Sequence, residues 1–351
     1  MKTTDLPSVI ATAAVAGVRP MLWGAPGIGK TAAVRAAADQ LGAELVVLEL
    51  STLEPTDIGG APYVWRGEYR VATPAWARRL AAAPRGLLFL DELTTARPVT
   101  LDAAVNLILD GRVNDEFTLP RTVAIVCAGN PAEHTHGGAS LSSALSNRLA
   151  HIQCQPPSVD DWLAIVTGTT STPPIAVPES IDERAYRLCA QAVARARAGK
   201  GLVGQPPAGG GAYLTPRSAE ALCRWVAAAT AARLADHLID EVAVGIVGEG
   251  PWTEIATVLR DPTFWLPTPA DIIAGTPWPD TPAGALEVGR ALAAAIESGA
   301  IDAAAGWTAF NRLFDDERVD FGIPVLSAIV AACARHGVYT PGLERWLEAC
   351  Q

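Results

Sequence analysis

The feature that most constrains this chain is the run Gly24-Ala25-Pro26-Gly27-Ile28-Gly29-Lys30-Thr31, with Ala32 directly after it. It follows the apolar stretch 18–23 and opens a segment, 31–41, patterned as a helix that stops at Gly42. Strand, glycine-rich turn and helix, in that order, are the setting in which this pattern makes a phosphate loop. The glycines let successive backbone N–H groups turn inward toward an anion, and the helix N-terminus adds positive potential. In such a loop the backbone from Gly24 to Ala32 cradles phosphates, Lys30 reaches the β- and γ-phosphates, and the Thr31 hydroxyl is a ligand for Mg²⁺.

Four further apolar runs lie at 44–50, 86–91, 122–129 and 149–154. They are short, rich in Val, Leu and Ile, and bounded by Gly, Pro or polar residues, as parallel strands buried on both faces are. Helical patterns separate them. One follows Arg97-Pro98, carries Leu101, Val105 and Ile108, and stops at Gly111. The alternation predicts an α/β fold, a doubly wound parallel sheet with its ligand site at the C-terminal ends of the strands.

Beyond about residue 156 the strand signal ends. Helices are expected from Ser158 and Asp161, over 182–197, and from Thr215-Pro216, where Thr is an N-cap and Pro the first helical residue. The Thr/Pro-rich segment 168–178 and the Gly-rich segment 199–212 read as loops. A last helical section covers 261–351, and its Trp307, Phe310 and Phe314 stand at the spacing of a core face. The expected organisation is an α/β nucleotide-binding core at 1–156, a helical lid at 157–260 and a C-terminal helical extension at 261–351.

With 50% hydrophobic and 18% charged residues the chain is not disordered. Its net charge of −10 gives no general attraction for phosphate backbones or anionic membranes. Six cysteines (Cys127, Cys154, Cys189, Cys223, Cys333, Cys350) lack CxxC spacing, which argues against a zinc site or disulfide framework. No apolar stretch reaches the roughly 18–20 residues that span a bilayer. The Ala/Val-rich opening at 9–18 follows Asp5 and Pro7 and runs into the first strand, so it is expected to belong to the fold rather than to a signal peptide. A cytoplasmic location is expected.

Four other motifs carry chemistry. The run 86–91 ends in Asp91-Glu92, so a buried strand delivers two acids at its tip. Asp91 suits a metal held through water, and Glu92 suits a base that orients and deprotonates an attacking water, a contribution typically of ~10²–10⁴ in rate. The run 124–131 ends in Asn130-Pro131, placing an amide where it can hold that water or read a γ-phosphate. Arg148 ends a short helix just before the strand at 149–154, at the sheet's edge rather than in its own site, from where it can reach a neighbouring subunit's nucleotide. Arg217 sits in the first turn of a helix, where the dipole disfavours a cation and an anionic partner is the natural inference.

Gly24–Thr31, Leu87–Glu92, Asn130, Arg148 and Thr215–Ser218 stand in the order of the Walker A, Walker B, sensor 1, arginine-finger and sensor 2 elements of an AAA+ ATPase. With 50–60, Leu119-Pro120 and Ala128–Pro131, the sequence over roughly 5–250 resembles the MoxR-like group, which has a magnesium-chelatase-type helix-2 insertion. The resemblance implies ATP and Mg²⁺ as ligands and a sheet in the order 5-1-4-3-2. It also implies a homo-oligomeric, hexameric ring with Arg148 completing the neighbour's site, an effect of ~10³–10⁵ in rate. The segment 57–69 would be the insertion, with Trp65, Arg66 and Tyr69 flanking Gly67 at a hairpin tip that faces either a substrate or solvent. Such rings act on partner proteins, commonly ones carrying a von Willebrand factor A domain. The rival expectations are a nucleic-acid translocase, which the charge disfavours, and an ATP-gated scaffold without turnover.

Overall fold

The five short apolar runs become one parallel sheet, most fully buried in its middle strands. In the computed structural model, which describes residues 1–131, 141–167, 177–207, 210–261, 266–315 and 318–350, the strands are β1 (Pro20–Trp23), β2 (Glu44–Glu49), β3 (Ala61–Trp65), β4 (Glu68–Ala72), β5 (Gly86–Asp91), β6 (Arg112–Asn114), β7 (Phe117–Thr118), β8 (Val123–Gly129) and β9 (Ala150–Gln153). The sheet order is β2-β5-β8-β1-β9, all parallel. Counted by sheet strands alone this is the expected 5-1-4-3-2. Within β5, residues 86–90 are buried and only Asp91, at the C-terminal tip, reaches partial exposure. Met21, Leu88, Leu90, Ile108 and Cys127 are among the side chains that fill the core beside the sheet.

The helices that cover the sheet end where their sequences say they should. Lys30–Leu41 stops at Gly42 and Pro98–Asp110 at Gly111, both glycines left-handed. The Ala/Val-rich opening is the helix Leu6–Ala16, buried along most of its length. Two antiparallel hairpins accompany the sheet. The β3–β4 hairpin turns through Arg66 and Gly67, both with positive φ, the geometry of a tight two-residue turn. Tyr63, Val64, Trp65 and Tyr69 on it are exposed. The β6–β7 hairpin and the helix Ala75–Ala82 have no counterpart in the sequence reading. Each is short, and the helix buries only Ala77 and Leu80.

The chain divides into two compact units, Met1–Leu259 and Arg260–Gln351. In the first, the helices Val159–Thr167, Glu183–Ala196, Pro216–Ala231, Asp236–Val247 and Glu249–Leu259 follow β9. Their caps are local and legible: Asp182 accepts from Arg184 and Ala185 N–H, and Thr215 and Ser218 form a reciprocal capping box. Of the expected loops, 168–176 and 208–209 lie outside the described residues. The regular elements among the second unit's described residues are all helices, with Trp278, Trp307, Phe310 and Trp346 at its centre and Phe314 partly buried beside them. Among the described residues, no helix is long and apolar enough to cross a membrane.

Helix Asp236–Val247 lies directly on β9. A Cβ built on Gly245 would stand 2.1 Å from the backbone oxygen of His151, and neither backbone can yield without separating helix from strand. Gly245→Ala is therefore expected to cost about 1–3 kcal/mol in unfolding free energy, the range for overpacking a tight contact. Urea unfolding reads this out, and an unchanged midpoint would mean the helix is free to shift.

Candidate functional site

Three strand tips converge at one end of the sheet. β1 runs into the loop Gly24–Lys30, β5 ends in Asp91-Glu92, and β8 ends just before Asn130. In the loop, Gly27 and Gly29 have φ of +80° and +100°, a conformation strained for any residue with a side chain. Apart from the adjoining residues, a Cβ on either would meet nothing within 4 Å. The loop thus holds glycines for their backbone geometry beside open space, as a phosphate cradle requires. Gly24 is a glycine for packing: a Cβ there would stand 3.0 Å from the Cys154 backbone oxygen and 2.5 Å from Ile28 Cδ1.

Lys30 is only 7% exposed. Its ammonium donates to the carbonyls of Gly24 (2.5 Å) and Ala25 (3.0 Å) and to Asn130 Oδ1 (3.2 Å). Burial pulls its pKa down, and the nearby Asp91 and Glu92 carboxylates oppose that pull. All three ammonium hydrogen bonds go to oxygen atoms, so a phosphate binding at Lys30 would have to take the place of one or more of these acceptors. Thr31, in the first turn of the helix, donates from Oγ1 to Asp91 Oδ2 at 3.0 Å. A hydroxyl and a carboxylate so placed are two hard oxygen donors. They fit Mg²⁺, which characteristically takes one or two protein oxygens and completes its shell with phosphate and water.

Glu92 has φ +55°, one of three non-glycine residues in the left-handed region among those described. The turn that holds it is built from its own neighbours. Its N–H donates to Asp91 Oδ1 (2.9 Å), its carbonyl accepts from Thr95, and Leu93 N–H returns to the Ala128 carbonyl of β8 (2.8 Å). A non-glycine residue held at positive φ stores backbone strain, which makes Glu92 a candidate functional position. Asn130 is fixed by Thr94, which the sequence reading did not single out. Asn130 N–H donates to Thr94 Oγ1 (3.0 Å), and that hydroxyl donates to the Asn130 carbonyl (3.2 Å). Thr94 is buried, and its contact spans 36 residues with no local sequence signal.

Arg148 and Arg217 lie elsewhere. Both line a cavity of about 220 Å³ with Arg19, Arg224, Asp110 and Glu220. Arg19 precedes β1 and Ala150 begins β9, so this cavity lies at the opposite ends of those strands from the phosphate loop. β1 alone separates them by roughly 13 Å at 3.3 Å per residue. Glu220 is paired with Arg224 at 2.6 Å. Among the described residues neither Arg148 nor Arg217 has an ion-pair partner. The two come together because Asn147, next to Arg148, clamps the start of the helix that carries Arg217. Asn147 Nδ2 donates to the Tyr213 carbonyl (2.8 Å) and its Oδ1 accepts from Thr215 Oγ1 (2.7 Å). The fold therefore gathers Lys30, Thr31, Asp91, Glu92 and Asn130 into one site and Arg148 with Arg217 into another.

Comparison with known proteins matches residues 20–153 to the family model "ATPase family associated with various cellular activities (AAA)". No curated protein matches the chain. Among solved structures, a Cytophaga hutchinsonii protein described provisionally as an ATPase is 16% identical with a TM-score of 0.44, over 70% of this chain and 84% of that one. A full-length MCM homolog from Methanopyrus kandleri is 20% identical with a TM-score of 0.41, over 72% of this chain and 54% of that one. The matched segment contains the whole parallel sheet, the phosphate loop and the acids and amide aimed at it. Over residues 20–153 the chain is thus similar to the AAA family of ATPases.

Proposed function

We propose that the chain hydrolyses ATP with Mg²⁺ as a subunit of a ring, a hexamer as in MoxR-like proteins, and that the cycle remodels or activates a partner protein. The observation that carries this is the separation of the two groups: a phosphate site with metal-binding oxygens, a water-positioning amide and a base on one side, and two unpaired arginines at the far ends of the same strands. Such a site is completed by the next subunit in a head-to-tail ring.

Each residue then has a role. The loop amides and Lys30 bind the phosphates, Thr31 and Asp91 hold Mg²⁺, Asn130 orients the attacking water, and Glu92 accepts its proton. Bound there, Mg²⁺ neutralises phosphate charge. Arg148 and Arg217 of the adjacent subunit stabilise the charge that develops on the γ-phosphate. The partner class fitting a MoxR-like ring is a protein with a von Willebrand factor A domain, acted on in the cytoplasm. The net charge of −10 supports a protein client over nucleic acid.

Turnover per subunit, measured from nanomolar to tens of micromolar protein, tests the shared site. A steep rise to a plateau is expected. A rate that stays flat while gel filtration shows monomers at every concentration would overturn the shared site, and no turnover at any concentration would favour an ATP-gated scaffold.

A further inference from the structure

One hydrogen-bonded chain joins the two functional regions within a subunit. Trp23, the last residue of β1, stands immediately before Gly24, whose carbonyl accepts from Lys30 at 2.5 Å. Its indole Nε1–H donates to His151 Nδ1 at 2.9 Å. On the other side of the ring, His151 Nε2 lies 3.0 Å from the Ser146 carbonyl. Ser146 closes the short helix Ser143–Ser146, two residues before Arg148.

The partners fix the protonation state. Indole offers only a donor and a carbonyl only an acceptor, so the bridging imidazole must be neutral, accepting at Nδ1 and donating at Nε2. Its burial holds the pKa below the ordinary histidine value, which favours that neutral form. The two rings are nearly coplanar and meet edge to edge, with centroids 6.0 Å apart and planes 11° from parallel. The His151 backbone is pinned from behind by the close approach of Gly245. A ring held in this way has little freedom to reorient, so displacement at one end is passed to the other rather than absorbed.

We infer that Trp23 and His151 are positioning residues: the chain Trp23–His151–Ser146 ties the phosphate loop of a subunit to the placement of the Arg148 which that subunit offers to its neighbour. A phosphate that draws Lys30 from the Gly24 and Ala25 carbonyls alters the loop beside Trp23, and the imidazole carries the change to the arginine segment. The inference rests on the reading that Arg148 acts on the adjacent subunit.

The test uses mixed oligomers of two full-length variants. Arg148→Ala subunits keep a complete phosphate site but donate no finger, and Glu92→Gln subunits donate a finger but do not hydrolyse. Turnover in the mixture comes only from Arg148→Ala sites served by Glu92→Gln neighbours. Trp23→Phe, which keeps an aromatic ring and removes the N–H, is then added to one member at a time. Placed in the finger donor, it is expected to lower kcat about three- to tenfold, the rate equivalent of one hydrogen bond, with KM for ATP unchanged. Placed in the acceptor, it leaves kcat within about twofold.

The reverse asymmetry, or equal loss in both positions, overturns the inference, because it makes Trp23 a support of its own phosphate loop. So does loss of fluorescent-nucleotide binding by Trp23→Phe alone. A mixture that never regains activity before Trp23 is altered instead contradicts the shared site, so the two failures are distinguishable.

Discussion

Glu92→Gln is expected to lower kcat for ATP hydrolysis about 10²–10⁴-fold, the usual contribution of a positioned general base, while nucleotide affinity stays the same. The substitution preserves size and leaves the left-handed turn to the backbone contacts that hold it, from the Glu92 N–H to Asp91 and from Thr95 to the Glu92 carbonyl. What it removes is an oxygen that can take a proton. The atoms that would grip the phosphates, the Lys30 ammonium and the loop amides, are untouched. Steady-state turnover and titration with a fluorescent nucleotide separate the two effects. A variant that turns over at the wild-type rate would deny Glu92 its role as base. A variant that no longer binds nucleotide would mean that Glu92 supports the loop rather than the chemistry.

The parts of this site that were legible in sequence are those whose cause is local. β5 reads as an unbroken apolar run because both its faces are buried, and its acids stand at the tip because only there does it reach partial exposure. The phosphate loop is legible because Gly27 and Gly29 are needed for backbone angles that other residues adopt at a cost. Likewise the Arg66-Gly67 turn announces its hairpin. What was not legible is set by contacts between distant residues: Thr94 with Asn130, Trp23 with His151, Asn147 with Thr215. No spacing rule connects positions 36, 128 or 68 residues apart. Arg217 illustrates the difference best. Its helical first-turn position pointed to an anion, but only the Asn147 clamp reveals that it stands with Arg148 at the far ends of the strands from its own loop.

That placement makes the second large effect a question of which subunit each arginine serves. Arg148→Ala is expected to lower turnover about 10³–10⁵-fold, as loss of an arginine finger does. Mixed with Glu92→Gln it should regain activity, because about a quarter of the interfaces in a randomly mixed head-to-tail ring join an intact base to an intact finger. Failure to regain it would mean that Arg148 acts within its own subunit or on stability alone. Arg217 sharpens the test. If it reaches the neighbour alongside Arg148, Arg217→Ala is rescued by Glu92→Gln but not by Arg148→Ala, since both arginine variants then spoil the same donor surface. If instead it folds back onto its own phosphates, Arg148→Ala and Arg217→Ala rescue each other, each supplying what the other lacks. The shared cavity and the Asn147 clamp predict the first pattern. The second would require the helix Pro216–Ala231 to leave Asn147 during turnover, breaking both clamp hydrogen bonds.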